Sequence, residues 1–251
     1  MPREYIRTSE IAREVGCHPN TVRLYLDWGY LPPVERSLSN YRLFQEKHLD
    51  HMRLAWMTFS GLFPGSLIRR SGKALVVQAA AGDLGGALEM AYSHLALIRS
   101  EHAQAEAAAE LLSRWSQGTA ADATSSPLRI GDAARRLNVS ADMLRNWESN
   151  GLIEVPRASN GYRLYGAEEL GRLRVIRMLV RAGYSLMAIL RMLLTLDAGE
   201  TADLRQVLDT PREDEDIYTA ADQWLTTLAL QEQKSGEIIT QLEKMIEKQT
   251  N

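Results

Sequence analysis

The stretch SNGYRLYGAEEL, residues 159–170, returns in altered form as SNYRLFQEKHL, residues 39–49. Tyr162, Arg163 and Tyr165 answer to Tyr41, Arg42 and Phe44. A polar turn, an aromatic and basic run and a helix-forming segment, met twice in one chain, mark a duplicated domain. Shifted by 122 positions, Ala12, Arg23, Tyr25 and Gly29 fall on Ala134, Arg145, Trp147 and Gly151. After a one-residue slip the shift is 121, and Leu43, Leu49, Arg53 and Met57 meet Leu164, Leu170, Arg174 and Met178. Solenoid repeats recur at roughly 20 to 50 residues, so this period belongs to whole domains.

Each copy reads alike. SEIAREVG (9–16) and GDAARRLN (131–138) place Ile11, Ala12, Val15 and Ala133, Ala134, Leu137 at helical spacing. A turn follows. Gly16 and Cys17 make the first corner, His18 is the expected N-cap and Pro19 the first helical residue, while Ser140 caps the second copy. The next helices, NTVRLYLDWG and ADMLRNWESNG, end at Gly29 and Gly151. Two short helices across a tight turn make a helix-turn-helix. Beyond it, GYLPPVERSLSNYRLF and GLIEVPRASNGYRLY each offer two extended pieces around a Ser-Asn turn, a β-hairpin wing whose arms carry Arg36, Arg42, Arg157 and Arg163. Helices resume at 45–59 and 167–182.

The 251 residues suffice for two modest cores. No apolar run approaches the roughly 20 residues that span a bilayer, and the start MPREYIRTSE lacks an apolar signal core, so a cytoplasmic protein without a membrane partner is expected. A single cysteine, Cys17, excludes an internal disulfide and a Cys-rich metal site. The net charge of −3 hides a division. Residues 128–195 hold eleven Lys and Arg against six Asp and Glu, whereas residues 196–251 hold five against thirteen. Residues 1–60 are near neutral, with eight against seven. One part is built to face phosphates and the tail is not.

The order SEIAREVGCHPNTVRLYLDWGYLPP…NYRLF and IGDAARRLNVSADMLRNWESNGLIEVPR…NGYRLYGAEEL resembles the MerR family of bacterial transcription regulators, over residues 5–68 and 128–195. The first copy departs from the family pattern by lacking a glycine before Tyr41 and by carrying Asp27 and Trp28 where charge is usual. The resemblance implies winged-helix binding of double-stranded promoter DNA by a two-fold pair of domains joined through long antiparallel helices. It also implies distortion of the promoter spacer, with RNA polymerase as a partner.

The fold expected is therefore mainly α: two winged helix-turn-helix domains with small β-hairpin wings, each followed by a long helix suited to a coiled coil. Residues 84–116 and 217–248 supply the long helices, with apolar residues spaced by threes and fours. The expected division is 1–70 for the first winged domain, 71–116 for a helical connector and 117–127 for a linker. It continues with 128–196 for the second winged domain and 197–251 for an acidic pairing segment, with an acidic break at 209–216. Two assemblies remain open: an intramolecular pseudo-dimer, or a homodimer carrying four wings.

For DNA contact, residue type and position single out Asn20, Thr21, Arg23 and Tyr25 with Arg36, Tyr41 and Arg42 in the first copy. In the second they single out Ser140, Asp142, Arg145 and Asn146 with Arg157, Tyr162 and Arg163. Asp142 is useful only as an acceptor from cytosine or as a cap, because phosphates repel it. At near-neutral charge the first copy either binds DNA or keeps the fold for another purpose. Trp56, Tyr92, Trp115 and Trp224 could line a pocket for an apolar effector, although ordinary core packing explains them as well. His48 and His51 lie three apart without a third ligand and read as a solvated helix face. No cofactor, metal site or enzymatic motif is expected. The rival reading is a ligand-sequestering or protein-interaction scaffold derived from such domains.

Overall fold

The computed structural model describes residues 5–61, 65–116, 126–199, 203–211 and 220–250. Most of the expected linker at 117–127 and of the acidic break at 209–216 lies outside the described residues. The chain forms two units, Met1–Arg99 with Leu228–Asn251, and Ser100–Thr227.

In the first unit α1 (Thr8–Val15) and α2 (Pro19–Asp27) form the helix-turn-helix. The α1 entrance is closed by the Glu10 carboxylate, which accepts the Arg7 backbone N–H at 2.7 Å. Its exit is Gly16 at φ 74°, after which the Cys17 N–H returns to the Ala12 carbonyl at 2.8 Å. His18 caps α2 by accepting the Asn20 N–H at its Nδ1, and Pro19 takes the first turn. The wing is β1 (Glu35–Arg36) against β2 (Arg42–Leu43), antiparallel, with Arg36 opposite Arg42. Helices α3 (Glu46–Phe59), α4 (Gly65–Ala80) and the first half of α5 (Leu84–Ser116) follow. The C-terminal helix α11 (Trp224–Thr250) supplies Ile238, Leu242 and Met245 to the same core as Ile11, Val22, Phe44, Met52 and Leu75.

The second unit repeats the plan. α6 (Ile130–Leu137) leads to α7 (Ala141–Ser149), whose N-cap Ser140 accepts the Met143 N–H at 3.0 Å. The second wing is pinned by a bridge between Arg157 and Arg163. Helix α8 (Ala167–Arg181) enters the core with Leu170, Leu173, Ile176 and Leu179, followed by α9 (Leu186–Asp197) and α10 (Leu204–Asp209). The second half of α5 contributes buried Ala105, Ala109 and Leu112, and the Tyr184 hydroxyl donates to the Ala105 carbonyl at 3.1 Å. Arg191 is buried, donating to the carbonyls of Val207, Leu208 and Asp222.

Two positions explain how the copies keep one backbone with different residues. Both require a left-handed conformation: Gly16 and Asn138 at the helix-turn-helix corner, and Asn40 (φ 64°) and Gly161 (φ 80°) at the wing tip. Asparagine is the side chain that most readily replaces glycine there. The first copy therefore makes its wing turn without the glycine that the second copy uses.

The solvated face expected for His48 and His51 is not found, since both rings are buried. His48 accepts the Gln45 N–H at Nδ1 and places Nε2 3.2 Å from the Pro33 carbonyl. His51 lies 2.7 Å from the Lys47 carbonyl and 3.1 Å from that of Ala79. Periodicity alone does not show that α4 closes over this side of α3.

Candidate nucleic-acid interface

In the second unit α7 turns Asp142, Met143, Arg145, Asn146 and Ser149 outward, while Leu144 and Trp147 enter the core. Arg145 is braced by the Asp142 carboxylate one turn earlier. Beside α7 a groove of about 520 Å³ is lined by Arg129, Arg135, Arg145 and Arg163, with Asp132, Tyr162 and glycine backbone. Asp132 is paired with Arg135. The Arg129 guanidinium lies 5.0 Å from the centre of the Tyr162 ring, within cation–π range. Four guanidinium groups line this surface, three of them also paired with Asp132, Asp142 and Glu148, and such an arginine-rich lining suits anions of phosphate size.

The wing is tied to α7 by Glu148, whose two carboxylate oxygens accept from Arg163 at 2.5 Å and from Arg157 at 3.4 Å. That hydrogen bond raises the Arg163 pKa further above its ordinary value, so the charge is permanent. Both wing arginines stay partly accessible. Ser140 is exposed, with its hydroxyl committed to the helix cap. Tyr162 is exposed at the wing tip.

The first unit holds the same arrangement with different braces. Arg23 donates to the Asn20 side-chain oxygen at 2.9 Å, an amide where the second unit has a carboxylate. Arg36 donates to Asn40 at 3.1 Å, and Arg42 reaches Asp27 at 3.7 Å. Thr21 is half-buried and Tyr41 is exposed. Tyr25 requires a correction. Its ring is buried against Tyr30 and Phe59, and burial pushes its hydroxyl pKa up to about 12. Its counterpart Trp147 is equally a core ring, so this position of the helix faces inward in both copies.

Four arginines escape a motif-by-motif reading. Arg129 and Arg135 line the groove, and Arg7 and Arg13 stand exposed at the matching positions of the first copy. The duplication holds the signal, since 7 falls on 129 and 13 on 135. The aromatic residues considered for an effector pocket are divided between the units. Trp56 packs on the first core and the Tyr92 hydroxyl donates to Glu243 at 3.4 Å. Trp224 is buried in the second unit, its indole N–H donating to the Ala182 carbonyl at 2.7 Å, and Trp115 is half-buried.

No group of three His, Cys, Asp or Glu suited to a metal occurs among the described residues. Burial pushes the Cys17 thiol pKa up, against the thiolate that a soft metal needs. No helix among the described residues is long and apolar enough to cross a membrane.

Comparison with known proteins follows the same two regions. The family model described as MerR HTH family regulatory protein matches residues 128–196, and that described as MerR family regulatory protein matches residues 7–44. A probable heavy metal-dependent transcriptional regulator of Haemophilus influenzae is 34% identical over 122 residues, covering 48% of this chain and 81% of that protein. The mercuric resistance operon regulatory protein of Bacillus cereus is 35% identical over 82 residues, 32% of this chain and 61% of its own length. The HTH-type transcriptional regulator HmrR of Rhizobium leguminosarum bv. viciae is 29% identical over 85 residues, 33% of this chain and 66% of its own length. No solved structure matches. Two matched regions, each folded as a helix-turn-helix with a wing, and a 34% identical relative aligned over 81% of its length place this chain in the MerR family of regulatory proteins.

Proposed function

We propose that the protein regulates transcription by binding double-stranded promoter DNA through both winged heads of one chain. The observation that carries this reading is a cationic constellation kept at six matched positions: Arg7, Arg13, Arg23, Arg36, Tyr41 and Arg42 in one head, Arg129, Arg135, Arg145, Arg157, Tyr162 and Arg163 in the other. None of these side chains is buried in a core, and arginines and tyrosines so placed are the groups that contact the phosphate backbone beside a groove. Arg23 and Arg145 enter the major groove with Asn20, Thr21, Asp142 and Asn146. The wing residues grip phosphates on either side.

The pairing of heads is intramolecular in this reading. Support comes from the first unit, where the helix after the first head meets the helix after the second. Tyr92 faces Glu243, and Arg99 bonds Glu232 at 2.7 Å, an antiparallel register. Ile238, Leu242 and Met245 lie in the core that surrounds Ala87 and Ala91. One chain then performs the task of a homodimer, distorting the promoter spacer for RNA polymerase while reading two unlike half-sites.

The test is a titration of promoter duplex with the full chain over a range of salt, with the mass of the complex measured alongside. A regulator of this design binds one chain per duplex and loses affinity steeply as salt rises, with a slope set by the number of phosphates neutralised. Binding indifferent to salt and to duplex, or two chains per site, counts against it.

A further inference from the structure

The two heads differ most where their surroundings agree best. Leu24 and Asn146 occupy the same position of α2 and α7, each following a matched arginine and preceding a matched core ring. Leu24 is 45% exposed on the outward face of α2, one turn from Asn20, and the still more exposed Trp28 lies one turn further on. Asn146 is also exposed. Its backbone carbonyl accepts from the side chains of Ser149 and Asn150, and its side-chain amide makes no hydrogen bond among the described residues. One head thus presents an apolar branch at the point where the other presents an amide.

These two chemistries select different bases. In the major groove thymine offers a methyl group and no donor, so an apolar side chain is rewarded there. Adenine offers an acceptor beside a donor, which an asparagine amide matches with two hydrogen bonds. We propose that Leu24 and Asn146 are the residues that make the operator asymmetric: Leu24 selects a thymine by contact with its methyl, and Asn146 selects an adenine at the matching place in the other half-site. This inference rests on the DNA-binding reading above and adds the identity of the bases read.

Anchoring and base choice fall to different side chains. The matched arginines and wing tyrosines hold both heads on the backbone in the same register, so a change at Leu24 or Asn146 alters which base is preferred and leaves the salt dependence unchanged. Both side chains are on the surface, and their exchange leaves the two cores intact.

The experiment is selection of bound duplexes from a randomised pool by the full chain and by its Leu24→Asn and Asn146→Leu variants. The parent enriches unlike half-sites, thymine in one and adenine in the other. Leu24→Asn turns the thymine preference into an adenine preference and makes the site more nearly palindromic, and Asn146→Leu does the reverse. As a second measurement, deoxyuridine replaces that thymine, deleting only the methyl. The parent loses about fourfold in affinity, as expected for one buried methyl group, and Leu24→Ala loses nothing further. Identical half-sites, unaltered base preferences in both exchange variants, or an undiminished deoxyuridine effect in Leu24→Ala overturns the proposal. A parent chain that retains no duplex overturns the DNA-binding reading itself, and that result is a loss of all binding rather than a loss of base preference.

Discussion

Glu148 holds Arg163 at 2.5 Å, joining the middle of the second wing to the end of the recognition helix. The first unit has Leu26 at the Glu148 position, and there Arg42 leans on Asp27 at 3.7 Å instead. The second head is the more tightly braced of the two. Glu148→Ala releases both Arg157 and Arg163 and destabilises the second unit by about 1 kcal/mol, the scale of a partly solvated charged hydrogen bond. Asp27→Ala, which removes a longer and more exposed pair, costs less than half of that. Urea unfolding of the two variants checks the order, and equal losses would show that the brace adds nothing.

The acid side of the stability curve is governed in part by His94. Its ring is buried, its Nδ1 has no hydrogen-bond partner, and burial lowers its pKa from the ordinary 6.5. The unfolded chain therefore binds a proton more readily than the folded one. The contribution is complete above the unfolded value and is lost as the pH falls below about 6.5 toward the depressed folded value. His48 is shifted in the same direction, chiefly by burial, and adds to the slope. Measured between pH 7 and 5, the urea midpoint falls, and His94→Phe flattens part of that fall. An unchanged slope in the variant removes His94 from the account.

The architecture was legible because the chain contains its own comparison. The helix caps His18 and Ser140, the glycine exits at Gly29 and Gly151, and the wing arms follow from local rules applied twice. What local rules miss is which side of a helix a third element covers. Tyr25 has the type and position of a groove contact, yet Phe59 of α3 closes over it. His48 and His51 look solvated until α4 and the segment at Pro33 are in place. The N-terminal extended residues are too short to leave a periodic signal, although Ile6 bridges Phe44 and Leu128 bridges Tyr165 as a third edge of each wing.

The exchange of glycine and asparagine between copies gives a prediction about the wing. Gly161 has φ 80°, and a Cβ built there meets nothing within 4 Å, so the only obstacle to a side chain is the backbone conformation. Asn40 occupies the equivalent place at φ 64°. Gly161→Asn therefore changes stability by less than about 0.5 kcal/mol, whereas Gly161→Val, branched and unable to tolerate positive φ, costs about 2 kcal/mol. Thermal unfolding distinguishes them, and a large loss with asparagine contradicts the equivalence of the two wing tips.

Gly183 is a sharper case, since both the backbone and the space forbid a side chain. It has φ 97°, and an added Cβ lies 2.6 Å from the Trp224 indole nitrogen. That nitrogen donates to the carbonyl of the preceding Ala182, so the ring cannot withdraw without losing its bond. Gly183→Ala costs about 3 kcal/mol, combining left-handed strain with overpacking. Trp224→Phe in the same background, which removes the obstructing nitrogen and its bond, recovers part of the loss. Additive losses in the double variant would show that the clash is not the cause.

Asp142 is the acidic residue in the first turn of α7, a helix proposed to enter a groove lined with phosphates. Its contact with Arg145 explains its presence, because it holds the guanidinium on the outward face. The first head achieves the same with a neutral amide, Asn20 bonding Arg23 at 2.9 Å. A carboxylate is therefore not required for the brace, and its charge opposes the approach of the duplex. Asp142→Asn keeps an acceptor for Arg145 while removing that repulsion, which is worth about 1 kcal/mol at a few ångströms in water and is reduced by salt. The variant binds promoter duplex about threefold to fivefold more tightly at low salt, and the gain shrinks as salt is raised. Asp142→Ala removes the charge and the brace together, so Arg145 loses its orientation and the gain is smaller. Equal or weaker binding by Asp142→Asn at low salt would instead make the carboxylate a reader of cytosine, and the selected half-site would then change at that base.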